Sequence, residues 1–249
     1  MSSFQLAQQT AKPLTQNNAT DSPKIDTREK TFQHATRIQT SLTSAPERKL
    51  LLWLAQRMPE SINSDHLTIL GFASMFFAGL SYALARYSSL GLLGATVCLI
   101  TNWFGDSLDG TLARFRNRQR PRYGFYVDHI IDSFGAIFLM TGLAASTYID
   151  WRVAAALLVA FLLLSIESYL ATYTLGVFRL SYAKFGPTEI RILLAIANLL
   201  LYFHSNARVP WHNYRLLNFA STIATAAMFI MAVAASITHT ITLYRQETR

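Results

Sequence analysis

Asp106-Ser107-Leu108-Asp109-Gly110-Thr111-Leu112-Ala113-Arg114, followed after nine residues by Gly124-Phe125-Tyr126-Val127-Asp128-His129-Ile130-Ile131-Asp132, places four carboxylates between long apolar runs. Charges in apolar surroundings are expensive unless they face a polar cavity or bind cations. Asp106, Asp109, Gly110 and Ala113 fall at i, i+3, i+4 and i+7, which is one helical face. Gly124, Asp128 and Asp132 step by fours and share a face as well. The segment between, Arg114 to Tyr123, carries five arginines and Pro121 and reads as a turn outside the bilayer. Two antiparallel helices then point four carboxylates at one another near one membrane surface. Such charges repel, and hard divalent cations with oxygen ligands, magnesium or manganese, resolve the conflict. Two cations held by shared carboxylates form a clamp suited to phosphoryl chemistry.

Outward from this stretch, the chain is that of a membrane protein. Its 249 residues are 51% hydrophobic and 14% charged, a composition far from that of soluble domains. The lone Cys98 excludes an intramolecular disulfide and any multi-cysteine zinc site. The six histidines are scattered without ligand spacing, and His129, one residue from Asp128, faces away from it on a helix.

Residues 1–43 are polar, lack an apolar leader run and read as a disordered tail. Residues 44–60 contain PERKLLLWLAQRMP, too short to span and amphipathic, which suits a helix lying at the interface. Ser64 or Asp65 is the expected N-cap of the next helix. Residues 61–249 then hold six apolar segments: Leu67 to Ala85, Leu90 to Phe104 running on into the aspartate face, Gly124 to Tyr148, Val153 to Gly176, Thr188 to Ser205 and Leu216 to Tyr244. The first is 19 residues without a charge, about 28 Å as a helix and long enough to cross. The fold expected is all-α and integral to the membrane, with six transmembrane helices after an amphipathic interfacial helix. Six spans put both termini on one side. That side carries 18 of the lysines and arginines against four opposite, so the termini and the aspartates are expected to be cytoplasmic. The net charge of +8 is thereby explained by topology, without nucleic acid as a partner.

The pattern Asp-x2-Asp-Gly-x2-Ala-Arg-x9-Gly-x3-Asp-x3-Asp resembles the signature of the CDP-alcohol phosphotransferases, also called CDP-alcohol phosphatidyltransferases. These membrane enzymes displace CMP from a CDP-linked alcohol or lipid with a second alcohol. The resemblance implies two divalent cations, Mg2+ or Mn2+, held by Asp106, Asp109 and Asp128, with Asp132 completing the metal shell or serving as general base. It implies donor contacts from Asp106, Gly110, Ala113, Arg114 and Gly124, a homodimer, and a role in phospholipid synthesis in a bacterial inner membrane or the endoplasmic reticulum. The other turn arginines, Arg116, Arg118, Arg120 and Arg122, read as positive-inside charges.

Two polar features lie beyond the signature. Glu167, inside the fourth span, is either functional or satisfied by protonation, a nearby tyrosine or a partner subunit. Gly186-Pro187-Thr188-Glu189-Ile190-Arg191 opens the fifth, with Thr188 as cap and Glu189 favourable to the dipole. Arg191, with Arg179 and Lys184, is a candidate pocket for an anionic acceptor or lipid headgroup. Two other classes remain open at this point. One is an intramembrane prenyltransferase, which holds a pyrophosphate on aspartate-rich helices; the other is a non-enzymatic cation transporter. Which alcohol serves as acceptor, and whether the lipid is donor or acceptor, stay undecided.

Overall fold

The computed structural model describes residues 36–38, 44–179, 187–204 and 216–248. Among these, seven helices follow one another: α1 (Ser44–Arg57), α2 (Ser64–Leu84), α3 (Leu90–Phe115), α4 (Pro121–Ala145), α5 (Trp151–Leu175), α6 (Pro187–Phe203) and α7 (Leu216–Glu247). Two three-residue strands, β1 (Thr36–Ile38) and β2 (Val177–Arg179), pair in parallel with Thr36 opposite Val177. The expected disordered tail lies outside the described residues except for β1.

Four of the helices, α2, α4, α5 and α7, are long and apolar enough to cross a membrane. The protein is therefore multi-pass, but the expected count of six is not reached by the same measure. Helix α6 has 17 residues, and the second half of α3 carries Asn102, Asp106, Asp109 and Arg114. The burial pattern is that of helices in lipid. Small residues such as Ala78, Ala95, Ala154 and Ala160 are buried, while Ile69, Phe77, Val97, Leu170 and Ile230 are exposed. With no water to favour burial of leucine over lipid contact, close packing of small residues holds such helices together.

Helix ends follow local chemistry, though not always as expected. Neither Ser64 nor Asp65 caps α2. The helix starts after Asn63, whose N–H donates to His66 Nδ1 at 3.2 Å; the Ser64 hydroxyl donates to the Asp109 carbonyl at 3.0 Å, and Asp65 pairs with Arg120. Pro121 opens α4, a position where its missing N–H costs nothing. Asp150 caps α5 by accepting from Arg152 N–H at 2.8 Å. Gly176, with φ of 67°, ends that helix in the left-handed region that favours glycine.

Helix α2 is the central packing element, lying against both α3 and α4; α3 also meets α6 and α1, and α5 packs on α4 and α7. The main core gathers Tyr82, Leu92, Leu99, Leu139, Leu143 and Leu201. It is crossed by one polar chain, in which Tyr82 donates to Asn198 Oδ1 at 2.9 Å and Asn198 donates to the Thr96 hydroxyl at 3.2 Å, tying α2, α6 and α3. A second cluster, Leu51, Ala55, Leu67, Leu108 and Leu112, seats α1 beneath the end of α3 that carries the aspartates.

Two crossings rest on glycine. A Cβ at Gly142 would overlap the Gly79 carbonyl, and one at Gly79 would overlap the Phe138 carbonyl, so α2 and α4 touch backbone to backbone. Gly105 of α3 sits equally close to Leu67 and Gly71 of α2. Gly142→Ala is therefore expected to lower the thermal unfolding temperature of the detergent-solubilised protein, with an overpacking cost of roughly 1–3 kcal/mol. Gly124→Ala, where nothing lies within 4 Å, is expected not to lower it.

Candidate active site

The α2–α3 crossing sets where the aspartates stand. Gly71 approaches so closely that an added Cβ would lie 3.3 Å from the Asp106 backbone nitrogen. Beside this contact opens a small cavity of about 30 Å³, room for one or two water-sized groups. Helix α2 lines it with Thr68 and Gly71, α3 with Asn102, Asp106 and Asp109, α4 with Asp128 and Asp132, and α6 with Arg191. Apolar walls come from Phe72, Met75 and Ile131. The four carboxylates of the two helices thus face one cleft.

Each carboxylate has a different environment. Asp109 Oδ2 accepts from the Thr68 hydroxyl at 2.6 Å, and its Oδ1 accepts from the Gly110 N–H. Asp106 Oδ2 accepts from Arg191 Nη2 at 2.6 Å, an ion pair mostly withdrawn from solvent. Asp128 is half exposed, with its Oδ2 3.9 Å from His129 Nδ1. Asp132 is exposed along the same face. The His129 ring turns the other way, stacking on Phe125 at 4.1 Å between centroids and meeting Tyr169 edge-on at 4.7 Å.

The remaining expected residues lie apart from this cleft. Gly110, Ala113, Arg114 and Gly124 do not line it. Arg114 Nη2 donates to the Thr111 hydroxyl at 3.1 Å, so the guanidinium lies back along α3 beside Gly110. Neither Gly110 nor Gly124 is needed for helix packing: the nearest atoms to a Cβ at Gly110 belong to Arg114, and Gly124 faces open space. Lys184 falls outside the described residues, and Arg179 lies in β2. Thr188, expected as a cap, is inside α6 and its hydroxyl donates to Glu47 instead.

Hard carboxylate oxygens gathered at one point suit a divalent cation such as Mg2+ or Mn2+ in donor chemistry. As they stand, no three Asp, Glu, His or Cys side chains among the described residues form a ligand group. Asp106 holds Arg191, and Asp109 holds Thr68 and Gly110. Only the Oδ2 of Asp106 is engaged by Arg191.

A family model described as CDP-alcohol phosphatidyltransferase matches residues 62–239, well over half of the chain. The chain belongs to the CDP-alcohol phosphatidyltransferase family. Compared with curated proteins, it has no match. Members of this family are membrane transferases of phospholipid biosynthesis, moving a phosphoalcohol group from a CDP-alcohol to an acceptor alcohol. The family match selects the transferase among the three classes left open above, and Asp106 to Asp132 lie within the matched residues.

Several residues around the phosphatidyltransferase site carry no obvious signal in the sequence. Glu47 of α1, outside the matched region, accepts from Trp103 Nε1 at 2.8 Å, from Thr188 Oγ1 at 2.8 Å and from Ser107 Oγ at 3.4 Å, all on its Oε1. One oxygen thereby joins α1 to α3 and α6, next to Asp106 and Arg191. At the other end of α1, Arg116 donates to the carbonyls of Met58, Pro59 and Ile62 at 2.6–2.9 Å. This arginine has a specific structural task beyond the positive-inside charge expected of it, and so does Arg120, which pairs with Asp65 and lies 4.2 Å over the Tyr123 ring. Among the described residues, Glu167 Oε1 meets His239 Nδ1 at 2.5 Å, fastening α5 to α7. Only Asn102 had a readable cue, since it sits four residues before Asp106 on the same helical face.

Glu47→Ala leaves the Trp103 N–H and the Thr188 hydroxyl without an acceptor. A stability loss of about 1–3 kcal/mol is expected, together with a lower kcat for CMP release. Glu47→Gln keeps an acceptor oxygen and is expected to recover most of both, as read from melting curves and turnover measured on the same preparations.

Proposed function

We propose that this chain transfers a phosphatidyl or phosphoalcohol group from a CDP-linked donor, such as CDP-diacylglycerol, to an acceptor alcohol at the cytoplasmic surface of the membrane, working as a homodimer with six spans. The observation that carries the reading is the meeting of Asp106, Asp109, Asp128 and Asp132, from two helices, in one cleft with Arg191. Asp106, Asp109 and Asp128 are the residues to hold two divalent cations. Bound there, Mg2+ or Mn2+ neutralises the donor diphosphate and stabilises charge on the departing CMP.

The chain's own groups do the rest. Asp132, exposed on the cleft, takes the proton of the acceptor hydroxyl as general base. The alcohol oxygen forms a bond to the β-phosphorus as the bond from that phosphorus to the CMP oxygen breaks, and CMP leaves with the electron pair. Arg191 is the counter-charge of Asp106 while the cleft is empty of substrate. Were a cation to take over the charge of Asp106, the Arg191 guanidinium would be free to bind an anionic group of the acceptor or lipid, together with Arg179 and Lys184. Arg114, lying beside Gly110, is placed to meet the donor phosphate. The open space over Gly124, and at Gly110 only the flexible Arg114 guanidinium, let a nucleotide approach the backbones of both helices. The cavity itself is too small for a nucleotide, so CDP lies over its mouth.

Reconstituted in liposomes with CDP-diacylglycerol, Mn2+ and a panel of acceptor alcohols, the protein is expected to release CMP, and EDTA to stop it. Asp132→Asn is expected to lower kcat by roughly 10²–10⁴-fold with the donor KM little changed. Undiminished turnover in that variant would remove Asp132 from the role of base. Failure to release CMP from any CDP-linked donor would defeat the reading as a whole.

A further inference from the structure

Asn102 lies one turn before Asp106 on the cleft-facing side of α3 and is only 5% exposed. Its Nδ2 donates to the Gly71 carbonyl at 3.0 Å. That bond also settles which end of the amide is which, because a carbonyl accepts only from the NH2 group. Among the described residues, Asn102 Oδ1 is then left buried with no hydrogen-bond partner. An unmet buried acceptor carries a desolvation penalty and is a rare feature that calls for a physical reason.

The neighbours in the cleft do not supply one. Asp106, Asp109, Asp128 and Asp132 are acceptors when ionised. The Thr68 hydroxyl is committed to Asp109, and Arg191 Nη2 to Asp106. Phe72, Met75 and Ile131 are apolar. The cleft is rich in acceptors, so a polar group that hydrogen-bonds Asn102 Oδ1 must bring its own donor.

We propose that Asn102 Oδ1 accepts a hydrogen bond from a second O–H or N–H group of the acceptor alcohol, one distinct from the hydroxyl that attacks phosphorus. The inference rests on the transferase reading above. The attacking hydroxyl has a single proton, which passes to Asp132, so it does not also serve Asn102. The glycerol esters of a CDP-linked lipid contain only acceptor oxygens, and its ribose hydroxyls and cytosine amine stay with the nucleotide over the mouth of the cavity, which is too small to admit them. The acceptor substrate is therefore a polyol or an amino alcohol with a second donor beside the reacting hydroxyl. Diacylglycerol and quaternary ammonium alcohols bring no such group. This makes the lipid the CDP-linked donor and the soluble alcohol the acceptor.

The test uses the full-length protein in liposomes with CDP-dioleoylglycerol and Mn2+, following CMP. Glycerol 3-phosphate is compared with 3-hydroxypropyl phosphate, and serine with 3-hydroxypropionate, so that each pair differs only in the second donor, hydroxyl in one and ammonium in the other. In the pair that supports turnover, loss of that donor is expected to raise the acceptor KM at least about tenfold in the wild type, with the donor KM unchanged. In Asn102→Ala the two acceptors are expected to become equivalent, which a merely structural loss would not cause, since that would slow both alike. Equal KM values in the wild type overturn the proposal without any variant, should Asn102→Ala fail to fold. So does discrimination that survives in Asn102→Ala, whether or not Mn2+ affinity measured by electron paramagnetic resonance falls there. Turnover of diacylglycerol with CDP-choline as donor also overturns it. Absence of CMP release by the wild type with every acceptor and donor overturns the transferase reading and this assignment with it.

Discussion

Four carboxylates facing one cleft, in a part of the chain that is otherwise apolar, is the constraint to which the rest of this structure answers. Their mutual repulsion would drive α3 and α4 apart if loose side-chain packing alone held the helices. Backbone contact at Gly71 and Gly105, and again at Gly79 and Gly142, limits that freedom, because at these crossings no side chain separates α2 from its neighbours. A distant polar chain, Tyr82 to Asn198 to Thr96, ties α2 and α3 to α6 well away from the charges. Cohesion thus comes both from contacts far from the aspartates and from the Gly71 crossing and the Thr68–Asp109 and Arg191–Asp106 bonds beside them.

Arg191 shows how the charge is managed. It is drawn from α6, the shortest of the long helices, and satisfies Asp106 alone. Breaking a buried pair by removing one partner is costly, whereas exchanging one cation for another keeps the charge balanced.

Helix α1 extends this logic to the membrane surface. Glu47 and Arg116 secure it near its two ends, and Leu51 and Ala55 bury against Leu108 and Leu112 between them. Its other side leaves Leu50, Leu52 and Trp53 exposed, with Arg57 4.0 Å over the Trp53 ring, a combination suited to the headgroup layer. The segment lies before the family match begins, yet one of its carboxylate oxygens touches both the helix of the aspartates and the helix of Arg191.

By itself the sequence determined the membrane class, the positions of the long helices to within a few residues, and the shared face of Asp106 and Asp109 and of Asp128 and Asp132, because helical period and apolar length are local properties. The family, too, was legible in the spacing of those residues. Only the tertiary structure decided which distant groups meet them: Arg191 on Asp106, Thr68 on Asp109, Glu47 against Trp103 and Thr188, and Glu167 against His239. It also decided which glycines pack helices and which leave open space, and that Asn102 Oδ1 is left without a donor among the described residues. These depend on how helices far apart in the chain cross, and a crossing is set by the sum of many contacts that no single stretch of residues encodes.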